Sequence, residues 1–103
     1  MEEKRIALKV DDLDNVATIF AQNITDGTEV DICDKRGNAE RVIVTGNVPY
    51  GHKIAVRDIA EGEHIIKYGF SIGAASRNIA RGEYVHIHNM EALRGRGDLG
   101  GKS

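Results

Sequence analysis

A short unit recurs four times along this chain: Asn or Asp, then Ile or Val, two residues, Gly, two residues, and again Ile or Val. The copies are NITDGTEV (23–30), NVPYGHKI (47–54), DIAEGEHI (58–65) and NIARGEYV (78–85). Glycine followed by an alternating apolar stretch is the pattern of a turn feeding a strand. The unit therefore reads as a β-turn opened by the aliphatic residue, with Gly27, Gly51, Gly62 and Gly82 at its last position. On that register Pro49, the only proline, takes the first central position, where its fixed φ fits. The copies are too unevenly spaced for a solenoid. They predict a compact β structure with several similar corners.

Period-two alternation in RIALKV, EVDIC, RVIVT, KIAVR, HIIK and YVHIH supports an all-β fold. In DNVATIFAQNI, Val16, Ile19, Phe20 and Ile24 would also fit one helical face, but the β-branched content favours a strand. A chain of 103 residues holds one such domain, read here as residues 1–92, with 93–103 (LRGRGDLGGKS) as a flexible C-terminal tail. The Arg-Gly-Asp triplet in that tail would suit an adhesion role, but no secretion signal accompanies it. A formal charge of −2 gives no general attraction to nucleic acid or an anionic membrane. The lone Cys33 has no partner for an internal disulfide and reads as a small buried hydrophobe. With no spanning segment either, the expected location is the cytoplasm.

The densest chemistry lies in GEYVHIHN. If the strand runs on, Tyr84, His86 and His88 share one face, while Val85, Ile87 and Asn89 share the other, with the aliphatic pair facing the core. Two histidines at this spacing suit a metal, an anionic substrate or simple solvation, and a metal would need a third ligand, for which His52 is the candidate. Lys53 beside it could anchor a carboxylate. In IIKYGFSIG, Lys67 and Tyr68 precede Gly69, with Gly73 following, as in a tight turn that holds a cation and a phenol at its bend. This is neither a Walker motif nor a dinucleotide fingerprint. His64 is expected at the surface, and Asp11, Asp12 and Asp14 form a charged entry to a turn. No nucleophile elbow or metal-binding cysteine pair is present, so spacing alone names no reaction.

The segment from Gly51 to Asn89, with its GHK, IKYG, IG and VHIHN elements in order, closely resembles the SAF domain of the altronate dehydratase family, and the DNVA segment at Asp14 to Ala17 extends the match. The resemblance implies a β-clip fold and a small subunit, inactive or nearly so alone, of a hydro-lyase. Such an enzyme dehydrates a hexonate sugar acid of the D-altronate type to a 2-keto-3-deoxy acid with a separate large catalytic subunit. It implies a divalent metal, Fe2+ first, held mainly by that subunit. His52, His86 and His88 would then be catalytic, with His86 and His88 the candidate metal ligands. Lys53, Lys67, Tyr68 and Asn89 would bind substrate. Two alternatives stand beside it: the alpha subunit of a sulfolactate sulfo-lyase, and a non-catalytic sugar-acid-binding or regulatory module. Alone, the chain would cover its partner face by forming a homo-oligomer.

Overall fold

The computed structural model describes residues 5–92, so the tail expected at 93–103 lies outside the described residues. These form nine strands and no helix: β1 (Ile6–Lys9), β2 (Val16–Ile19), β3 (Glu29–Asp34), β4 (Ala39–Ile43), β5 (Lys53–Ala55), β6 (His64–Lys67), β7 (Phe70–Ala75), β8 (Tyr84–Val85) and β9 (Met90–Ala92). Six make one sheet in the order β4-β3-β1-β2-β5-β8, and three make a second in the order β6-β7-β9. The domain is all-β, as expected. The ambiguous segment is a strand, because β2 is covered on both faces and Val16, Ala17 and Ile19 are buried. Among the described residues no helix is long and apolar enough to cross a membrane.

The four repeated units are four corners built alike. In each, the residue after the glycine donates its N–H to the carbonyl three positions back: Thr28 to Thr25 (3.0 Å), His52 to Pro49 (3.1 Å), Glu63 to Ala60 (2.9 Å) and Glu83 to Ala80 (2.9 Å). Glycine is therefore the third turn residue, with φ between 85° and 91°, a conformation that excludes most other residues. The expected register was one residue too early. Pro49 accordingly opens its turn instead of taking the first central position. The corners meet in pairs through the bridges Ile24↔Val48 and Ile59↔Ile79. Side chains tie the second pair reciprocally: Asp58 Oδ1 accepts from Arg81 N, and Asn78 Oδ1 from Glu61 N.

The aliphatic residues of the units fill the interior. Ile24, Val30, Val48 and Ile54 join one core beneath the larger sheet, while Ile59, Ile65, Ile79 and Val85 join a second core. Each such side chain contributes roughly 1.5–3 kcal/mol on leaving water. The two sheets are linked by polar groups. Asn15, fully buried, donates through Nδ2 to His64 O (2.8 Å) and accepts from Ile66 N (2.7 Å). Asp14, read as part of a charged entry to a turn, is buried. Its carboxylate accepts from Val10, Asp11 and Gly69 N–H groups. This connection holds the Lys67–Phe70 hairpin against the larger sheet. Cys33 is only partly buried, since its strand lies next to the sheet edge.

Candidate active site

The antiparallel pairing of β5 with β8 sets Lys53 opposite Val85 and Ile54 opposite Tyr84. Continued one residue outward, this register brings His52 across from His86, and their rings lie 4.8 Å apart. Tyr84 is the hub of the group. Its hydroxyl is 2.7 Å from His52 Nδ1, its ring stacks on His86 at 5.6 Å with planes 10° apart, and His88 lies 5.4 Å away. Gly46 makes room for it, since a Cβ there would stand 3.3 Å from Tyr84 Cβ.

His52 is free to join this group because of Pro49. At the other three corners the residue after glycine caps the turn: Thr28 Oγ1 accepts from Thr25 N (3.1 Å), Glu63 Oε1 from Ala60 N (3.0 Å) and Glu83 Oε1 from Ala80 N (2.9 Å). Pro49 has no N–H to cap. The second corner therefore releases its cap position, and His52 turns to Tyr84.

The expected strand through His88 ends at Val85. Residues 86–89 form a turn, closed by Asn89 N–H donating to His86 O at 3.0 Å. The cause is Asn89, which is fully buried: Oδ1 accepts from His86 N (2.9 Å), and Nδ2 donates to Tyr84 O (2.9 Å) and to Glu83 Oε2 (3.4 Å). Asn89, which alternation put on the side of Val85 and Ile87 and which the resemblance made a substrate-binding residue, is thus the buried anchor of the histidine turn. The turn also ejects Ile87, expected in the core, to 80% exposure. His86 and His88 nevertheless stay together around Tyr84.

Lys53 is half-buried, and burial followed by the charge of Lys67 lowers its pKa. Burial comes first for His86 too, followed by the charges of His52, Lys53 and His88, and its pKa falls below the ordinary value. His86 is therefore neutral at pH 7, and the lysine and histidine groups border each other. Tyr68 (φ 57°) and Gly69 (φ 80°) form the two-residue turn between β6 and β7, as expected from the glycine pattern. The Lys67 ammonium lies 5.1 Å from the Tyr68 ring. His64 is exposed and apart, its Nδ1 2.7 Å from Ser71 Oγ.

Among the described residues, His86 and His88 find no third side-chain ligand for a metal: no three His, Cys, Asp or Glu side chains converge on a metal position, and His52 Nδ1 is engaged by Tyr84. What the site does hold is a neutral imidazole able to take a proton, a tyrosine-held second imidazole, and two cations suited to an anion. Tyr84 is the member that strand alternation grouped with the histidines without giving it a role. The missing N–H of Pro49 was the available signal for the freedom of His52.

Residues 5–93 match the family model described as the altronate/galactarate dehydratase SAF domain. The chain is 43% identical over 82 residues to altronate dehydratase of Escherichia coli (strain K12), covering 80% of this chain and 15% of that protein. Over 47 residues it is 49% identical to (2R)-sulfolactate sulfo-lyase subunit alpha of Chromohalobacter salexigens, 46% of this chain and 50% of that subunit. It is 37% identical over 79 residues to galactarate dehydratase (L-threo-forming) of E. coli, 76% of this chain and 14% of that protein. The chain thus spans a small fraction of the dehydratases and half of the sulfo-lyase subunit.

Proposed function

The chain belongs to the altronate/galactarate dehydratase SAF-domain family, and from this we propose that its histidine and lysine face forms one wall of a sugar-acid hydro-lyase site. The substrate is a hexonate of the D-altronate type, and a larger catalytic chain supplies the other wall. The single observation that carries this proposal is the convergence of His52, His86, His88 and Tyr84 beside Lys53 and Lys67.

In this mechanism Lys53 and Lys67 meet the substrate carboxylate, with Tyr68 beside them at the hairpin tip. A neutral imidazole, His86 by its environment, removes the proton from the carbon next to that carboxylate. The carbon–oxygen bond one carbon further breaks, and the hydroxyl leaves with a proton as water. The resulting enol tautomerises to the 2-keto-3-deoxy acid. Negative charge builds toward the carboxylate during proton removal, and fixed cations nearby lower that barrier. A divalent ion for this reaction belongs on the larger chain, because this face closes no ligand set.

The test is to co-purify the chain with its larger partner, supply D-altronate and other aldonates, and assay 2-keto-3-deoxy acid. Product from an aldonate supports the proposal; binding without product makes the chain a sugar-acid-binding module. A second reading, favoured by the identity to the sulfo-lyase alpha subunit, has (2R)-sulfolactate as substrate. Sulfite release in the same screen would select it.

A further inference from the structure

Three histidines in one site leave open which of them exchanges protons and which only directs the substrate. Building on the proposed lyase site, we infer that Tyr84 is a positioning residue that makes His52 a hydrogen-bond donor to substrate and excludes it as the proton-abstracting group. The basis is the 2.7 Å approach of the Tyr84 hydroxyl to Nδ1 of His52. A neutral imidazole has one bare nitrogen and one N–H, and the partner of the first decides the role of the second. With the tyrosine hydroxyl donating to Nδ1, the single proton of His52 is on Nε2. The nitrogen left for a ligand is then a donor and carries no lone pair with which to take a proton.

Three features of the site support this direction. Tyr84 is packed against the first core, and a phenol hydroxyl is an available donor at neutral pH. Its ring is held from the other side by the stacked His86, and its backbone N–H donates to Thr45 O at 3.0 Å. The His52 backbone is fixed as well, donating to Pro49 O and accepting from Ile19 N at 2.8 Å. Both residues are therefore held at this contact.

The first test uses the isolated, 15N-labelled chain at a pH where imidazoles are neutral, and reads the protonated nitrogen of His52 from long-range 1H–15N correlations. The expected result is a single form with Nε2 protonated in the wild type, and a mixture of both tautomers in Tyr84→Phe. A proton on Nδ1 in the wild type, or an unchanged spectrum in Tyr84→Phe, overturns the inference. Retained backbone amide dispersion shows that the variant is folded, since phenylalanine keeps the ring.

The second test uses the two-chain enzyme and compares His52→Gln with His52→Ala. Glutamine keeps an N–H donor but cannot serve as a base at neutral pH. Losing a donor to developing charge lowers kcat ~10²-fold or more, so His52→Ala should fall that far and His52→Gln should recover at least ~10-fold of it. Equal loss in both variants overturns the donor role. If the wild-type complex turns over no sugar acid, the proposed function fails, while the tautomer measurement still decides the role of Tyr84.

Discussion

Replacing Asn89 by alanine should cost the domain about 2–4 kcal/mol, because the side chain satisfies two main-chain groups that then lose their partners. Those groups are the His86 N–H and the Tyr84 carbonyl, each 2.9 Å from the amide of a fully buried residue. An orphaned buried group costs about 1–3 kcal/mol, and the exposed side of the turn admits some water, which places the sum below the maximum. Against a typical total of about 5–15 kcal/mol this is a large fraction. Asn89→Asp sharpens the test. Its oxygen can still accept from His86 N, but the donor to Tyr84 O is lost, and a carboxylate then faces that carbonyl and Glu83 Oε2. The folded-state pKa of the new carboxyl should therefore lie above its unfolded value of about 3.9. Stability linked to a raised pKa is present in full below the unfolded value and is lost as pH rises through the folded one. Urea unfolding followed by circular dichroism, each variant compared with wild type at pH 4 and pH 7, should give a smaller Asp penalty at pH 4. An Asn89→Ala stability within about 0.5 kcal/mol of wild type would refute the anchor role, as would an Asp penalty independent of pH.

Gly62→Ala and Gly82→Ala should differ although both glycines have φ near +88°. A Cβ at residue 62 meets open space, leaving about 1–2 kcal/mol of backbone strain. At residue 82 it would stand 2.4 Å from the Ile43 carbonyl oxygen, so unfolding titrations should show a penalty more than ~1 kcal/mol greater. In the second corner, adding His52→Glu to Pro49→Ala should restore the cap seen at Glu63 and Glu83 and stabilise that variant by about 0.5–1.5 kcal/mol. His52→Glu on the Pro49 background should show no such gain in a thermodynamic cycle, and equal effects would dismiss the capping account. The His86 ring protons should titrate with a midpoint below about 6.5, and Lys53→Met should raise it by removing a nearby cation. Because that pKa is depressed, stability tied to neutral His86 is present above about 6.5 and lost as pH falls through the folded value. An NMR midpoint unmoved by Lys53→Met would separate the lysine from the histidine group.

Much of this architecture was legible from local pattern. The corners, the β2 strand and the Tyr68–Gly69 turn follow from glycine placement and β-branched alternation, which are properties of a few adjacent residues. The one-residue error in the corners arose because glycine spacing marks a turn without stating which position needs positive φ. Ile87 was misplaced for a different reason. Alternation assumes that a strand continues, whereas a buried asparagine amide satisfied the main chain of a turn better than a further strand pair. Asp14 was invisible as a buried residue because its distant donor, Gly69, lies 55 positions away. Such long-range satisfaction of a carboxylate has no periodic signature. Tyr84 and His52 fall between these cases: their strands were legible, but their contact depends on the β5–β8 register.

The most direct measurement of the central claim is kcat for dehydration of D-altronate by the proposed two-chain enzyme containing His86→Ala. A positioned general base contributes about 10²–10⁴-fold, so kcat should fall at least ~10²-fold while the chains still co-purify. Turnover within a few-fold of wild type would contradict the assignment of this face as a wall of the catalytic site.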